Sequence, residues 1–140
     1  MVCCVFHNSS PATHDRLLFE IVERAYNQKQ NVVVFVGDNS RAAAVDRTLW
    51  ILRQESFIPH RIFTPGETDP GVSVAIVTTE TNPNSSEVLI ADAHCNLDFA
   101  CGFDAIHEFV NRSSSEMHEA CRDRFKNYRQ RQVPVEYLQT

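Results

Sequence analysis

The chain has 140 residues, 43% apolar and 22% charged, with a formal net charge of -5. That size and balance suit one α/β domain over residues 1–140 with one core. A net-acidic body is a poor match to a general nucleic-acid binder, no apolar stretch is long enough to span a bilayer, and five cysteines, with Cys3 and Cys4 adjacent, do not make a secreted disulfide framework.

The opening "MVCCVFHNSS" lacks a basic leader and its apolar run stops at His7. It therefore reads as a buried strand over 2–6 rather than a signal peptide, and the cysteines point to a reducing cytoplasm. Leu18, Val22 and Ala25 recur at helical spacing, predicting a helix over about 14–28 with Asp15 at its positive end. "NVVVFVGD" (31–38) is a β-branched run without polar interruption, as in a strand buried on both faces of a parallel sheet. Ala42, Val45, Leu49 and Leu52 form the stripe of a second helix over about 40–54, and Pro59 biases Ile58 away from helical geometry beyond it. "HRIF" then reads as a short strand, "VSVAIVTT" (72–79) and "EVLIADA" (87–93) as further strands, and "TPGETDPG" and "ETNPNSSE" as loops. Two helices are predicted to close the chain, over about 103–111, "FDAIHEFVN", and about 114–130. Strands alternating with helices make a parallel α/β sheet with right-handed crossovers.

Such a sheet raises the question of a nucleotide. The turn "VFHNSSPATHD" has no glycine and "VFVGDNSR" has one. Without G-x-G-x-x-G or a P-loop lysine, the backbone cannot approach a pyrophosphate closely, so no cofactor site is expected. His94, Cys95 and Cys101 could approach Cys3, Cys4 or His7 at strand ends, but no C-x-x-C or H-x-x-x-H pair is present and buried free cysteine is a common core residue. Cys95 beside His94, and Ser9 and Ser10 near His7 and His14, lack a nucleophile elbow or a placed base. No catalytic, cofactor or metal residue is assigned.

Two other features stand out. Trp50 lies beside the apolar stripe of the second helix and Phe57 lies in a polar stretch just past it. Each fits a core, and the pair also fits a protein-interface core. Between Arg112 and Arg131 six basic residues face three acidic ones, a segment of +3, which leaves -8 on the rest of the chain. On a helix His118, Arg122, Phe125, Lys126 and Arg129 fall along one face. That face is either solvated with its aromatic turned inward, or a pocket in which Phe125 is an apolar wall and the cations hold carboxylates.

"DRTLWILRQESFIPHRIF" followed by "ACRDRFKNYRQ" resembles the chi subunit of bacterial DNA polymerase III. The matching residues are Asp46, Leu49, Trp50, Ser56, Phe57, Pro59 and His60, then Arg122, Arg124, Phe125, Lys126, Tyr128 and Arg129. The resemblance covers most of the chain. It implies a three-layer Rossmann-like α/β fold with a mainly parallel sheet, and a non-catalytic replisome adaptor. It further implies that His118, Arg122, Phe125, Lys126 and Arg129 bind the acidic, Phe-ending tail of single-stranded DNA-binding protein. Trp50 and Phe57 would face the psi subunit, which links chi to the clamp loader, or a helicase using the same face. Neither direct sequence-specific nucleic-acid binding nor membrane binding is implied. His118 replaces a lysine of the family, the "TETNPNSSE" loop is acidic rather than basic, and "VPVEYLQT" has no counterpart. The alternative reading is a small-ligand or nucleotide-binding α/β module, or a degenerate enzyme.

Overall fold

A computed structural model describes residues 2–52 and 57–139. The last residues of the predicted second helix and Ser56 of the motif lie outside the described residues. The elements in chain order are β1 (Cys3–Asn8), α1 (His14–Asn27), β2 (Val32–Phe35), α2 (Asn39–Leu52), β3 (His60–Ile62), β4 (Val74–Val77), β5 (Val88–Ala91), α3 (Leu97–Ala100), β6 (Ala105–Phe109), α4 (Ser115–Gln130) and β7 (Val135–Gln139). The strands form one seven-stranded sheet in the order β3-β4-β2-β5-β6-β1-β7, and every neighbouring pair is parallel.

Alternation along the central strands divides the apolar side chains between two faces. Val32, Val34, Ile76 and Ile90 pack with Leu18, Val22, Ala42, Val45 and Leu49 of α1 and α2. Val33, Phe35, Ala75, Val77 and Leu89 pack with Ala100 of α3 and Tyr128 of α4. The result is three layers: α1 and α2, the sheet, then α3 and α4. β2, β4 and β5 are buried at every position, which is why they are unbroken apolar runs in the sequence.

The helix predicted over 103–111 is instead strand β6, between β5 and β1. Ile106, Phe109 and Val110 sit at i, i+3 and i+4 and imitate a helical stripe. In the fold they divide by the strand period of two. Ile106 and Glu108 face α4, while His107 and Phe109 face the other way, toward His7 and His14. Glu108 and His107 were legible only as polar breaks, because their partners come from other elements. Two elements had no sequence reading. One is the short helix α3, capped by Asn96 accepting from Asp98 N at 2.8 Å. The other is β7, which joins the sheet edge in parallel with β1.

Candidate functional site: a basic-rimmed groove on the last helix

α4 begins at Ser114, whose backbone is extended and whose Oγ accepts from Met117 N at 3.1 Å, satisfying one of the helix's free N–H groups. Glu116 in the first turn and Arg129 in the last complement the helix dipole. Its buried positions are Cys121, Arg124 and Tyr128, at helical spacing and turned to the sheet. That orientation puts Arg122, Lys126 and Arg129 in solvent and leaves His118 and Phe125 half-buried.

All five predicted residues line one groove of about 280 Å³. Phe6 of β1, Val110, Cys121 and Tyr137 of β7 complete it. The Phe125 ring packs edge-on to Phe6 with centroids 5.3 Å apart, giving an apolar wall. Among the described residues, Arg122, Lys126 and Arg129 form no ion pair. The groove thus offers an apolar floor rimmed by uncompensated cations, suited to a peptide carrying carboxylates and an aromatic side chain. Burial raises the Cys121 thiol, so it lines the floor as a neutral group.

The helix is anchored under this groove by charges that sequence reasoning did not assign. Glu108 is 0% exposed and accepts from Arg124 Nε at 3.1 Å and Nη2 at 2.5 Å, and from Tyr128 Oη at 2.7 Å. Arg124 Nη1 also donates to the Cys95 carbonyl at 2.6 Å. Burial opposes the Arg124 charge, but the hydrogen bonds and charge of Glu108 outweigh it and hold the guanidinium firmly protonated. Burial, then the charge of Glu108, pushes the Tyr128 phenol up, so it remains a donor. The available signal for Arg124 was its place on the Cys121–Tyr128 stripe. Nothing local marked Glu108, Phe6 or Tyr137.

The second predicted pair lies on the far side of the molecule. Trp50 is 53% exposed, Ile51 56% and Phe57 67%. The Trp50 ring meets His60 edge-on at 5.0 Å, and His60 Nε2 lies 3.3 Å from Asp46 Oδ1. Asp46, Trp50 and His60 of the first motif therefore come together, with Trp50 exposed, the His60 side chain buried and Leu49 in the core. Both aromatics are exposed, so neither is packed in the core.

A larger crevice, about 930 Å³, opens where β1, β5 and β6 end, the place where open α/β sheets hold ligands. It is crossed by a charge network. Asp92 accepts from Arg41 Nε at 2.8 Å and Nη2 at 2.9 Å and meets His14 Nε2 at 2.7 Å, while Arg41 Nη2 also reaches Asp15 at 2.8 Å. Burial would raise the Asp92 carboxyl, but these hydrogen bonds prevail and hold it at about 2. Arg41 is thereby spent on carboxylates inside the crevice. Cys121 Sγ lies 3.5 Å from His94 Nε2, Cys95 lies beside Arg124, and among the described residues no group of three His, Cys, Asp or Glu could hold a metal ion. Among those residues no helix is long and apolar enough to cross a membrane.

Residues 1–136 match the family described as DNA polymerase III chi subunit, HolC. The DNA polymerase III subunit chi of Pseudomonas aeruginosa strain PAO1 is 26% identical over 132 residues, covering 94% of this chain and 90% of that protein. The DNA polymerase III subunit chi of Escherichia coli strain K12 is 28% identical over 116 residues, covering 82% and 78%.

Proposed function

The chain belongs to the DNA polymerase III chi subunit family, and from that premise we propose that it is a non-catalytic adaptor of the replication machinery, working in the cytoplasm. The α4 groove receives the acidic C-terminal tail of single-stranded DNA-binding protein. The Trp50 and Phe57 surface receives the psi subunit, and so the clamp loader, or a helicase that uses the same face. No cofactor, membrane or sequence-specific nucleic-acid contact enters this role.

One observation carries the reading. The apolar wall of Phe6 and Phe125 lines the same groove as Arg122 and Lys126, cations that form no ion pair among the described residues, on a body that is otherwise net acidic. A peptide ending in Phe needs both: an apolar recess for the ring, and donors for its α-carboxylate and acidic side chains. Arg122 can hold a carboxylate through two parallel hydrogen bonds, whereas Lys126 acts as a point charge. Because both are exposed, each ion pair contributes about 1 kcal/mol or less. Binding therefore weakens with added salt.

The test is titration of a fluorescent acidic peptide ending in Phe against the wild type and Arg122→Glu. Lys126→Ala should weaken binding by up to about five-fold, the equivalent of about 1 kcal/mol. Arg122→Glu should weaken it much further, because repulsion replaces attraction. Equal affinities for the wild type and Arg122→Glu would reduce the basic face to a solvated helix side. Calorimetry with ATP and NAD on the same sample tests the alternative of a nucleotide-binding module.

A further inference from the structure

We propose that His60 is a positioning residue for Trp50: a buried, tethered imidazole that holds the exposed indole in the orientation in which a protein partner meets it. This rests on the reading of the Trp50 and Phe57 surface as a partner site, and it gives a role to Asp46 and His60 of the first motif.

His60 opens β3, in register with Val74 of β4. The chain just ahead of it is fixed. Val74 N donates to the Pro59 carbonyl at 3.0 Å, and Ile58 is buried in the core. The His60 side chain is only 1% exposed. Its Nδ1 donates to the Ile58 carbonyl at 2.9 Å, since a carbonyl oxygen only accepts. Its Nε2 faces Asp46 Oδ1 at 3.3 Å. The imidazole is thus tied at one nitrogen to a core-anchored carbonyl and flanked at the other by a carboxylate of α2, and the two together set the plane of the ring.

Asp46 and Trp50 stand at i and i+4 on α2, so their side chains lie along one side of the helix. Both meet the same imidazole. The Trp50 ring sits edge-on to it, with centroids 5.0 Å apart and planes at 64°. A large side chain on an open helix face samples several rotamers, and ordering it on binding costs affinity. A buried ring that is itself tethered removes part of that cost before the partner arrives. An apolar residue at position 60 would fill the same space but has no donor for the Ile58 carbonyl, which is the physical reason for a polar side chain at so buried a place. Leu49, next to Trp50, packs in the core with Ala42 and Val45. α2 is therefore held to the sheet independently of His60, and what His60 adds is the orientation of the exposed ring.

Trp50 is the chain's single tryptophan, so its fluorescence reports on this ring alone. His60→Asn, which removes the ring beneath the indole, should lower the steady-state anisotropy of Trp50. It should also weaken binding of the purified psi subunit, read by calorimetry, about three- to ten-fold, the cost of ordering one freed side chain. In the Trp50→Ala background the same substitution should cost nothing further, because its effect runs through the indole. A residue that only stabilises the fold would weaken binding by the same factor in both backgrounds and leave the anisotropy of the folded protein unchanged. Asp46→Ala, at a carboxylate 32% exposed, should show the same two changes at smaller size, and it decides the matter if His60→Asn does not fold. If Trp50→Ala abolishes binding altogether, the anisotropy decides. Unchanged anisotropy in the folded variant, or equal losses in the two backgrounds, overturns the proposal. A wild type that does not bind psi, or binds it no better than Trp50→Ala, overturns the surface reading and this proposal together. Binding that Trp50→Ala weakens and His60→Asn leaves intact overturns this one alone.

Discussion

Glu108→Ala is expected to be among the most damaging single changes in the molecule, although it touches no groove residue that a ligand would reach. Glu108 is fully buried on β6 and takes three hydrogen bonds from α4. Removing it leaves the Arg124 guanidinium in the core with the Cys95 carbonyl, the Cys95 Sγ and the Tyr128 hydroxyl as its remaining hydrogen-bond partners among the described residues. Breaking a buried pair by deleting one partner costs about 3–5 kcal/mol, because an uncompensated charge stays behind. A protein of ordinary stability has only about 5–15 kcal/mol in total. With a urea m-value of about 2 kcal/mol/M, a loss of about 4 kcal/mol lowers the unfolding midpoint by about 2 M. Urea titration followed by circular dichroism at neutral pH reads this directly. The combined variant Glu108→Leu, Arg124→Leu, Tyr128→Phe should recover most of the loss, since matched apolar groups need no counter-charge. A midpoint shift below about 0.5 M for Glu108→Ala, a loss of about 1 kcal/mol at the same m-value, would refute the reasoning by showing Arg124 to be solvated.

Phe57→Ala should leave thermal stability within about 0.5 kcal/mol, since the ring is 67% exposed, yet lower affinity for a partner on that face by about 2 kcal/mol or more; unfolding of the variant would return Phe57 to the core. Burial, and then the charge of Arg24, holds His7 at about 4, and burial with His7 itself beside it holds His107 at about 3, the two rings stacked with 2.9 Å between Nε2 and Nδ1. Between those values and the ordinary 6.5 the unfolded chain binds protons that the native chain refuses. Stability present above about pH 6.5 should therefore fall toward pH 4 at up to about 1.4 kcal/mol per unit for each proton. The double variant His7→Phe, His107→Leu should flatten that fall in pH-dependent urea melts, and an unchanged slope would exclude the pair as its source. Asp92, held at about 2 against burial by His14 and Arg41, adds a further loss as pH falls from about 4 to 2, which Asp92→Asn should remove.

β2, β4 and β5 were legible in the sequence because burial on both faces permits only apolar, mostly β-branched residues, and that constraint is local to each strand. The α4 face was legible for a similar reason. Once Cys121, Arg124 and Tyr128 take the inward stripe, the helical period alone puts His118, Arg122, Phe125, Lys126 and Arg129 together. β6 was not legible, because its spacing satisfies a helix as well as a strand, and the choice was made by pairing with β1 and β5. The same holds for function. That the basic face borders a groove depends on Phe6 from the first strand and Tyr137 from the last, which β1–β7 pairing brings to α4. That Arg124 is an anchor while Arg122 is exposed depends on Glu108, whose charge is tolerable in the core only with Arg124 and Tyr128 against it. Periodicity is a property of one segment and can be read from it. A buried charge pair or a groove wall is a property of segments far apart in the chain, and it exists only once the sheet has set them side by side.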